Sequence, residues 1–136
     1  MPKARCASKY HLLAVSQRGA WEDWLNFFLT GVTTEARDAA RRAGRLFELR
    51  ETYREHFQRK GARANMLATV DHLFARPVTD INETARALGV TFEAARRLVN
   101  SLENEDVLDE ITGRRRNRVY AATEVMRLLQ GPLDHE

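Results

Sequence analysis

Arginine side chains crowd residues 112–120, which read Thr-Gly-Arg-Arg-Arg-Asn-Arg-Val-Tyr. The arginines are Arg114, Arg115, Arg116 and Arg118. Guanidinium groups at such spacing repel one another unless water or phosphate groups surround them. Binding of phosphate groups is therefore the chemistry that this segment predicts. The alternative is a solvated basic loop that pairs in part with Asp109 and Glu110 nearby.

No catalytic or metal-binding pattern is found elsewhere in the sequence. None of the four histidines has the spacing of metal ligands, and a single cysteine supports neither an internal disulfide nor a zinc site. These residues are His11, His56, His72, His135 and Cys6. The sequence also lacks a nucleophile with its base, a carboxylate pair and a glycine-rich phosphate loop. We therefore expect no enzyme activity, no cofactor and no metal.

Three helices are predicted upstream of the arginines. The first spans residues 62–76, where apolar residues recur at spacings of three and four. The second is short and begins at Asp80, whose carboxylate is suited to cap a helix, and it ends before a turn at Gly89. The third follows the Thr91 cap and runs to about Glu105.

A β-hairpin with arginines at its tip is predicted next, because residues 107–111 and 118–121 have strand composition while Gly113 and Asn117 favour turns. Two helices joined by a tight turn and followed by a hairpin are typical of a winged helix-turn-helix domain. We therefore predict a mainly α fold with a small β-hairpin. In it, a helical hairpin or bundle segment precedes the winged helix-turn-helix.

In such a domain the third helix enters the major groove of DNA, and the hairpin contacts the backbone or the minor groove. The residues predicted to contact DNA are Thr91, Arg96, Arg97, Asn100, Arg114, Arg115, Arg116, Asn117 and Arg118. An acidic cluster opposes this interpretation, because its carboxylates would repel phosphates. It comprises Glu103, Glu105, Asp106, Asp109 and Glu110. DNA would then be contacted only by the helix start and the hairpin tip, or the domain would bind protein instead.

Two further helices are predicted before residue 61. Apolar residues between Tyr10 and Gly31 recur at helical spacing, and we expect their face to be buried in a core. They are Trp21, Trp24, Leu25, Phe28, Leu29 and Val32. A longer helix is predicted to begin at Thr33 or Thr34 and to stop at Gly61. Its apolar face fits a helical hairpin or a dimer contact. This face consists of Ala36, Ala39, Ala43, Leu46, Tyr53 and Phe57.

These patterns divide the chain into a helical segment at 1–61, a winged helix at 62–130 and a frayed tail at 131–136. The net charge of +3 and the pI near 9.4 permit binding to nucleic acid without requiring it. The sequence has no apolar run of membrane-spanning length and no secretory signal. We therefore expect a cytoplasmic protein that does not contact a membrane.

The segment Trp-Glu-Asp-Trp-Leu-Asn-Phe-Phe-Leu-Thr-Gly-Val at residues 21–32 resembles the segment that follows the catalytic core in Fic-family proteins. Residues 88–91, 102–103 and 112–120 are similar to the winged helix that ends those proteins. Family enzymes transfer AMP to a protein hydroxyl with a histidine in a His-Pro-Phe loop, which this chain lacks. The resemblance therefore implies no catalytic residue here, and it implies a Fic catalytic domain upstream or as a partner. The chain has Glu105-Asp106 where the family usually has a glycine.

Two hypotheses for the function follow. The first is a DNA-binding module of a bacterial-type regulator of transcription, which contacts double-stranded DNA as a homodimer or a monomer. The second is a protein-protein interaction or dimerisation module that regulates an AMP-transferring Fic catalytic domain without binding DNA. A stable dimer that does not bind DNA would favour the second.

Overall fold

A computed structural model describes residues 2–130 as a mainly helical chain with one three-stranded antiparallel sheet. The elements are α1 (Pro2–Arg18), α2 (Trp21–Arg59), α3 (Ala64–Ala75), β1 (Val78–Asp80), α4 (Ile81–Leu88), α5 (Phe92–Asn104), β2 (Asp109–Glu110), β3 (Val119–Ala121) and α6 (Thr123–Gln130). The predicted tail at 131–136, with His135, lies outside the described residues.

The contacts divide the chain into two compact units between Arg41 and Arg42, inside α2, rather than at residue 61. The last turns of α2 belong to the unit that contains the sheet. Phe57 is buried in the core of that unit. Arg50 and Arg54 donate hydrogen bonds to the two carboxylate oxygens of Asp71, at 2.8 and 2.7 Å. These contacts explain why the unit begins before the predicted boundary.

In the N-terminal unit, α1 and α2 meet at Gly19, which interrupts the single helix predicted between Tyr10 and Gly31. Gly19 has a φ of 63°, a conformation that glycine adopts at low cost, and its amide donates to the carbonyl of Val15 at 3.0 Å. This cap ends α1. A new helix then begins at Trp21.

Most of the apolar face predicted to be buried is exposed. Within this unit Trp24 and Phe27 are half-buried, and the ring of His11 stacks on Phe27 with 4.7 Å between the ring centres. Since α1 covers this side of α2, an adjacent side remains open to solvent. The exposed residues are Trp21, Leu25, Phe28, Leu29 and Val32.

The predicted helix start at Thr33 or Thr34 is also wrong, because α2 continues through both residues. Their hydroxyl groups donate to the carbonyls of Leu29 and Thr30, one turn earlier, at 2.8 and 2.9 Å. A threonine bonded in this way lies inside a helix and does not cap its start. The separate helices of the predicted hairpin are therefore one helix in this region.

In the C-terminal unit, the helix starts predicted at Asp80 and Thr91 are confirmed, whereas the helix predicted from residue 62 begins at Ala64. The Asp80 carboxylate accepts from the amide of Glu83 at 2.8 Å, and the Thr91 hydroxyl accepts from the amide of Ala94 at 3.2 Å. Between α4 and α5, Gly89 has a φ of 64°. An added Cβ there would meet no atom within 4 Å, so the backbone conformation, and not close helix packing, explains this glycine.

The sheet has the strand order β1-β3-β2. The predicted hairpin is present, with Asp109 paired to Ala121 and Glu110 paired to Tyr120. Strand β1 adds a third strand, with Thr79 opposite Tyr120. The sequence analysis predicted neither β1 nor α6. The core beneath the sheet contains Phe57, Val70, Leu73, Val99, Leu102, Val107, Leu108, Tyr120, Ala122 and Val125.

Helix α5 ends in a cap that contains no glycine. Asp106 takes the left-handed conformation, with a φ of 57°, in place of a glycine. Its amide donates to the carbonyl of Glu103 at 3.1 Å, and the amide of Val107 donates to the carbonyl of Leu102 at 2.9 Å. Paired bonds of this kind form a Schellman cap, in which Leu102 and Val107 both join the core.

Candidate nucleic-acid interface

A cleft of about 550 Å³ lies between α5 and the loop that joins β2 to β3. Helix α5 contributes Arg96 and Asn100, and the loop contributes four consecutive residues from Arg115 to Arg118. The apolar side chains of the cleft come from the starts of α4 and α5 and from β3. Its lining consists of Ile81, Phe92, Arg96, Asn100, Arg115, Arg116, Asn117, Arg118 and Tyr120.

The orientation of α5 follows from its apolar face. Ala95, Val99 and Leu102 recur at helical spacing and are buried. Arg96 and Asn100 are four residues apart, which places them one above the other on the exposed face. Because the buried face fixes the rotation of the helix, these two polar side chains project together towards the cleft.

Glu110 organises the loop at the base of the hairpin. Its carboxylate accepts hydrogen bonds from the amides of Thr112 and Gly113, at 2.8 and 3.0 Å, and from the Thr112 hydroxyl. The hydrogen bond from that hydroxyl is the main cause of a pKa of Glu110 below its ordinary value. Because these hydrogen bonds join the loop to the Glu110 carboxylate, Glu110 stabilises the conformation of the hairpin.

Further along the loop, the backbone returns to β3. Asn117 takes a left-handed conformation, with a φ of 51°, which asparagine tolerates better than most residues. The Nε of Arg118 donates to the carbonyl of Arg114 at 2.8 Å. These two features close the loop and fix the direction in which Arg118 leaves it.

Two further carboxylates of the acidic cluster, those of Glu105 and Asp109, also have partners away from the cleft. Glu105 accepts from Lys60 and lies 2.8 Å from Nε2 of His56. The hydrogen bond from Lys60, followed by that from His56, holds the pKa of Glu105 below its ordinary value. Asp109 accepts from the Thr123 hydroxyl at 2.6 Å. Within residues 2–130, no carboxylate lines the cleft.

One acidic residue pairs with an arginine of the cleft from outside its lining. Glu93 lies one turn before Arg96, and the carboxylate and guanidinium are 3.3 Å apart. Both side chains are more than half exposed. An exposed pair on one helix contributes little energy and is readily exchanged for another anion. Arg96 can therefore leave Glu93 for a phosphate or a base.

Three of the predicted DNA-contacting residues lie outside the cleft lining. The Thr91 hydroxyl caps α5. Arg97 lies on a different side of α5 and lines a separate groove with Met66 and Leu98. Arg114 is exposed, and its backbone carbonyl accepts the hydrogen bond from Nε of Arg118.

Sequence reasoning missed the apolar lining of the cleft, namely Ile81, Phe92 and Tyr120. Phe92 stands directly after the Thr91 cap, and it is half exposed despite its size. A large aromatic residue at the first exposed position of a helix was the signal that could have identified it. Tyr120 lies on β3 and is buried, so its contribution depends on the tertiary pairing of that strand.

This arrangement is chemically suited to a polyanion. Four guanidinium groups offer planar pairs of donors that match phosphate oxygens and the edge of guanine. The amides of Asn100 and Asn117 add donors and acceptors that can read a base edge. The aromatic ring of Phe92 offers a surface for stacking or methyl contact.

Two absences are limited to residues 2–130. No helix there combines the length and the apolar character needed to cross a membrane. No group of three His, Cys, Asp or Glu side chains in that range is placed to hold a metal ion.

No known protein family, curated protein or solved structure matches the chain. The resemblance to Fic-family proteins therefore stays a prediction.

Proposed function

We propose that the C-terminal part of the chain, residues 62–130, is a winged helix-turn-helix module that binds double-stranded DNA and regulates transcription. The order of elements supports this proposal: a helix, a strand, two helices joined at Gly89, and a hairpin. In this arrangement α5 is the recognition helix, and the hairpin formed by β2 and β3 is the wing.

The single observation that carries the proposal is the convergence of α5 and the wing on one basic cleft. Arg96 and Asn100 come from the recognition helix, and Arg115, Arg116 and Arg118 come from the wing. The residues from α5 precede those from the hairpin by fifteen or more positions in sequence, yet both groups line one surface. Since no carboxylate of residues 2–130 shares that lining, and the pair between Glu93 and Arg96 is exposed and readily exchanged, a phosphate backbone would meet a positive surface.

The roles of the cleft residues follow from their chemistry. Asn100 is suited to bind an adenine through two hydrogen bonds, and Arg96 is suited to a guanine or a phosphate. Arg115, Arg116 and Arg118 contact the backbone or the minor groove. Outside the cleft, we keep Thr91, Arg97 and Arg114 as candidate phosphate contacts, because all three are exposed.

Fluorescence anisotropy with a pool of mixed-sequence duplexes tests the proposal. We expect binding that weakens steeply as salt rises, because phosphate contacts release counterions. Replacing Asn100 with Ala should reduce the preference among sequences by about 1–3 kcal/mol for an affected base, while non-specific affinity changes little. A protein that shows no binding to any duplex at low salt contradicts the proposal.

A second candidate function has its own supporting observation, the exposed apolar face of the N-terminal unit. Leu25, Leu29 and Val32 are exposed large apolar residues on consecutive turns of one helix. Such faces on soluble proteins mark contacts with other proteins. The chain would then be an interaction module that regulates an AMP-transferring Fic catalytic domain. Co-purification with such a domain, combined with no affinity for DNA, would favour this function over the first.

A further inference from the structure

An apolar stripe that is open to solvent runs along α2, from Leu25 in the N-terminal unit to Ala43 at the start of the C-terminal unit. Its residues recur at alternating steps of four and three, the heptad spacing of helices that pack side by side. We call it the seam, and it consists of Leu25, Leu29, Val32, Ala36, Ala39 and Ala43. All six residues are exposed. The same spacing continues to Leu46, Tyr53 and Phe57, which pack in or against the core of the C-terminal unit.

We propose that the seam binds the seam of a second copy of this chain, with the two α2 helices antiparallel and related by a twofold axis. The partner is thus a protein surface of known sequence, and the proposal does not depend on DNA binding. Side-chain sizes within the seam, charges at its two ends and the exposed apolar area support a second copy as the partner.

The first complementarity is in side-chain size. The large residues occupy the first half of the seam and the alanines occupy the second half. When two such helices pack antiparallel, each seam residue of one helix lies opposite a seam residue of the other, and each opposite pair forms one layer. A register that sets Val32 against Ala36 also sets Leu29 against Ala39 and Leu25 against Ala43. Each layer then joins one large and one small side chain, which fills the space between two closely spaced helices.

The second complementarity is in charge. The first turn of α2 carries Glu22 and Asp23, and arginines follow the seam at Arg41, Arg42 and Arg45. In the antiparallel register, the acidic turn of one copy lies at the level of the arginines of the other. A parallel pairing would instead bring like charges to the same level, which opposes association.

The exposed area is sufficient for a specific contact. Leu25, Leu29 and Val32 are 45%, 57% and 50% exposed, and Trp21 and Phe28 beside the seam are 59% and 50% exposed. Five side chains that each expose on the order of 100 Å² give roughly 500 Å² per copy. Two copies then bury about 1,000 Å², the lower bound for a specific protein interface.

Sedimentation equilibrium of the full chain tests the inference in the absence of DNA. The monomer mass is 15.6 kDa, and we expect twice this mass at protein concentrations of about 100 µM. Replacing Val32 with Glu places a charge in two layers of the dimer and should give a monomer. The matched control is Leu129→Glu, which changes an exposed leucine on α6 in the same way and should remain a dimer.

A size exchange tests the antiparallel register. The Leu29→Ala variant removes one leucine from each of two layers and should weaken the dimer roughly a hundredfold. Adding Ala39→Leu in the same chain restores one large and one small residue to those layers. This double variant should recover most of the affinity. Thermal unfolding of each variant shows whether it is folded, since both positions are exposed.

Three results would overturn the inference. A monomer at the highest concentration excludes the dimer, and a dimer that survives Val32→Glu is formed by another surface. A dimer that Leu29→Ala weakens, and that Ala39→Leu does not rescue, has a different register. Because none of these measurements includes DNA, their failure is distinct from a failure of the proposed DNA binding.

Discussion

Replacing Arg115 and Arg116 together with alanine should flatten the salt dependence of DNA binding by a predictable amount. Both residues lie in the loop between β2 and β3 and line the cleft. Both are exposed, and neither has a carboxylate partner among the ion pairs of residues 2–130. Their removal should therefore change phosphate contacts without disturbing the core.

The magnitude follows from the number of arginines in the cleft, which is four. If each of these four arginines neutralises one phosphate and no residue outside the cleft does so, the slope of log affinity against log salt is about −0.9 for each contact, or about −3.6 in total. Between 50 and 200 mM salt, the protein should then lose roughly 150-fold in affinity. The double variant retains two contacts, a slope of about −1.8, and a loss of roughly 12-fold over the same range.

Anisotropy titrations at four or more salt concentrations measure both slopes. The matched control is Arg59→Ala with Arg127→Ala, which lowers the net charge equally at exposed arginines away from the cleft. We expect this control to keep the steeper slope. An equal change of slope in the two double variants would show that net charge governs binding, and would refute the role of the cleft.

Three further predictions concern the stability of the C-terminal unit, and urea unfolding measures each. Asp106→Gly should stabilise the unit by up to about 1 kcal/mol, because glycine adopts the left-handed conformation without the cost that a side chain adds; a loss of stability would argue against the cap. Phe57→Ala should destabilise the unit by about 3–5 kcal/mol, because loss of the buried ring leaves a cavity. An effect below about 1 kcal/mol would show that the end of α2 does not pack in this core. The hydrogen bond from Arg50, aided by the one from Arg54, lowers the pKa of Asp71. The pairing therefore stabilises the protein at pH values above the ordinary carboxyl pKa, and this stabilisation is lost as the pH falls below about 4. Asp71→Asn should therefore reduce stability at pH 7 and reduce its loss in acid, and an unchanged acid profile would contradict this.

The parts of the fold that the sequence predicted correctly are those with local causes. The carboxylate of Asp80 and the hydroxyl of Thr91 lie within three residues of the amides that they cap. The apolar spacing of α5 sets which side faces the core, and so the exposure of Arg96 and Asn100 was predictable. The hairpin was also predictable, because turn-forming residues separate its two strands.

The parts that the sequence did not predict depend on distant partners. Strand β1 has three residues, and it is a strand because it pairs with β3. That partner lies some forty residues later in the chain. The position of Arg97 shows the same limit at the site. It is adjacent to Arg96 in sequence, but one residue rotates the side chain by about 100° around the helix, and Arg97 lines another groove.

Glycine gave the least reliable signal in the N-terminal unit. Gly19 ends α1 in the left-handed conformation, whereas Gly31 lies within α2. A glycine inside a helix costs about 1 kcal/mol, which a long helix can absorb. The local sequence therefore does not distinguish a stop from an interior position. The Trp-rich face raised the same difficulty, because apolar spacing predicts a contact but does not say whether the partner is in the same chain.

The most direct test of the proposed interface is nuclear magnetic resonance of the protein labelled with ¹⁵N, titrated with a short duplex at low salt. We expect the largest shifts at the amides of α5 and of the loop between β2 and β3, and at the Nε groups of Arg96, Arg115, Arg116 and Arg118. A titration in which these signals stay unchanged, or in which the shifts are confined to α1 and the first half of α2, would contradict it.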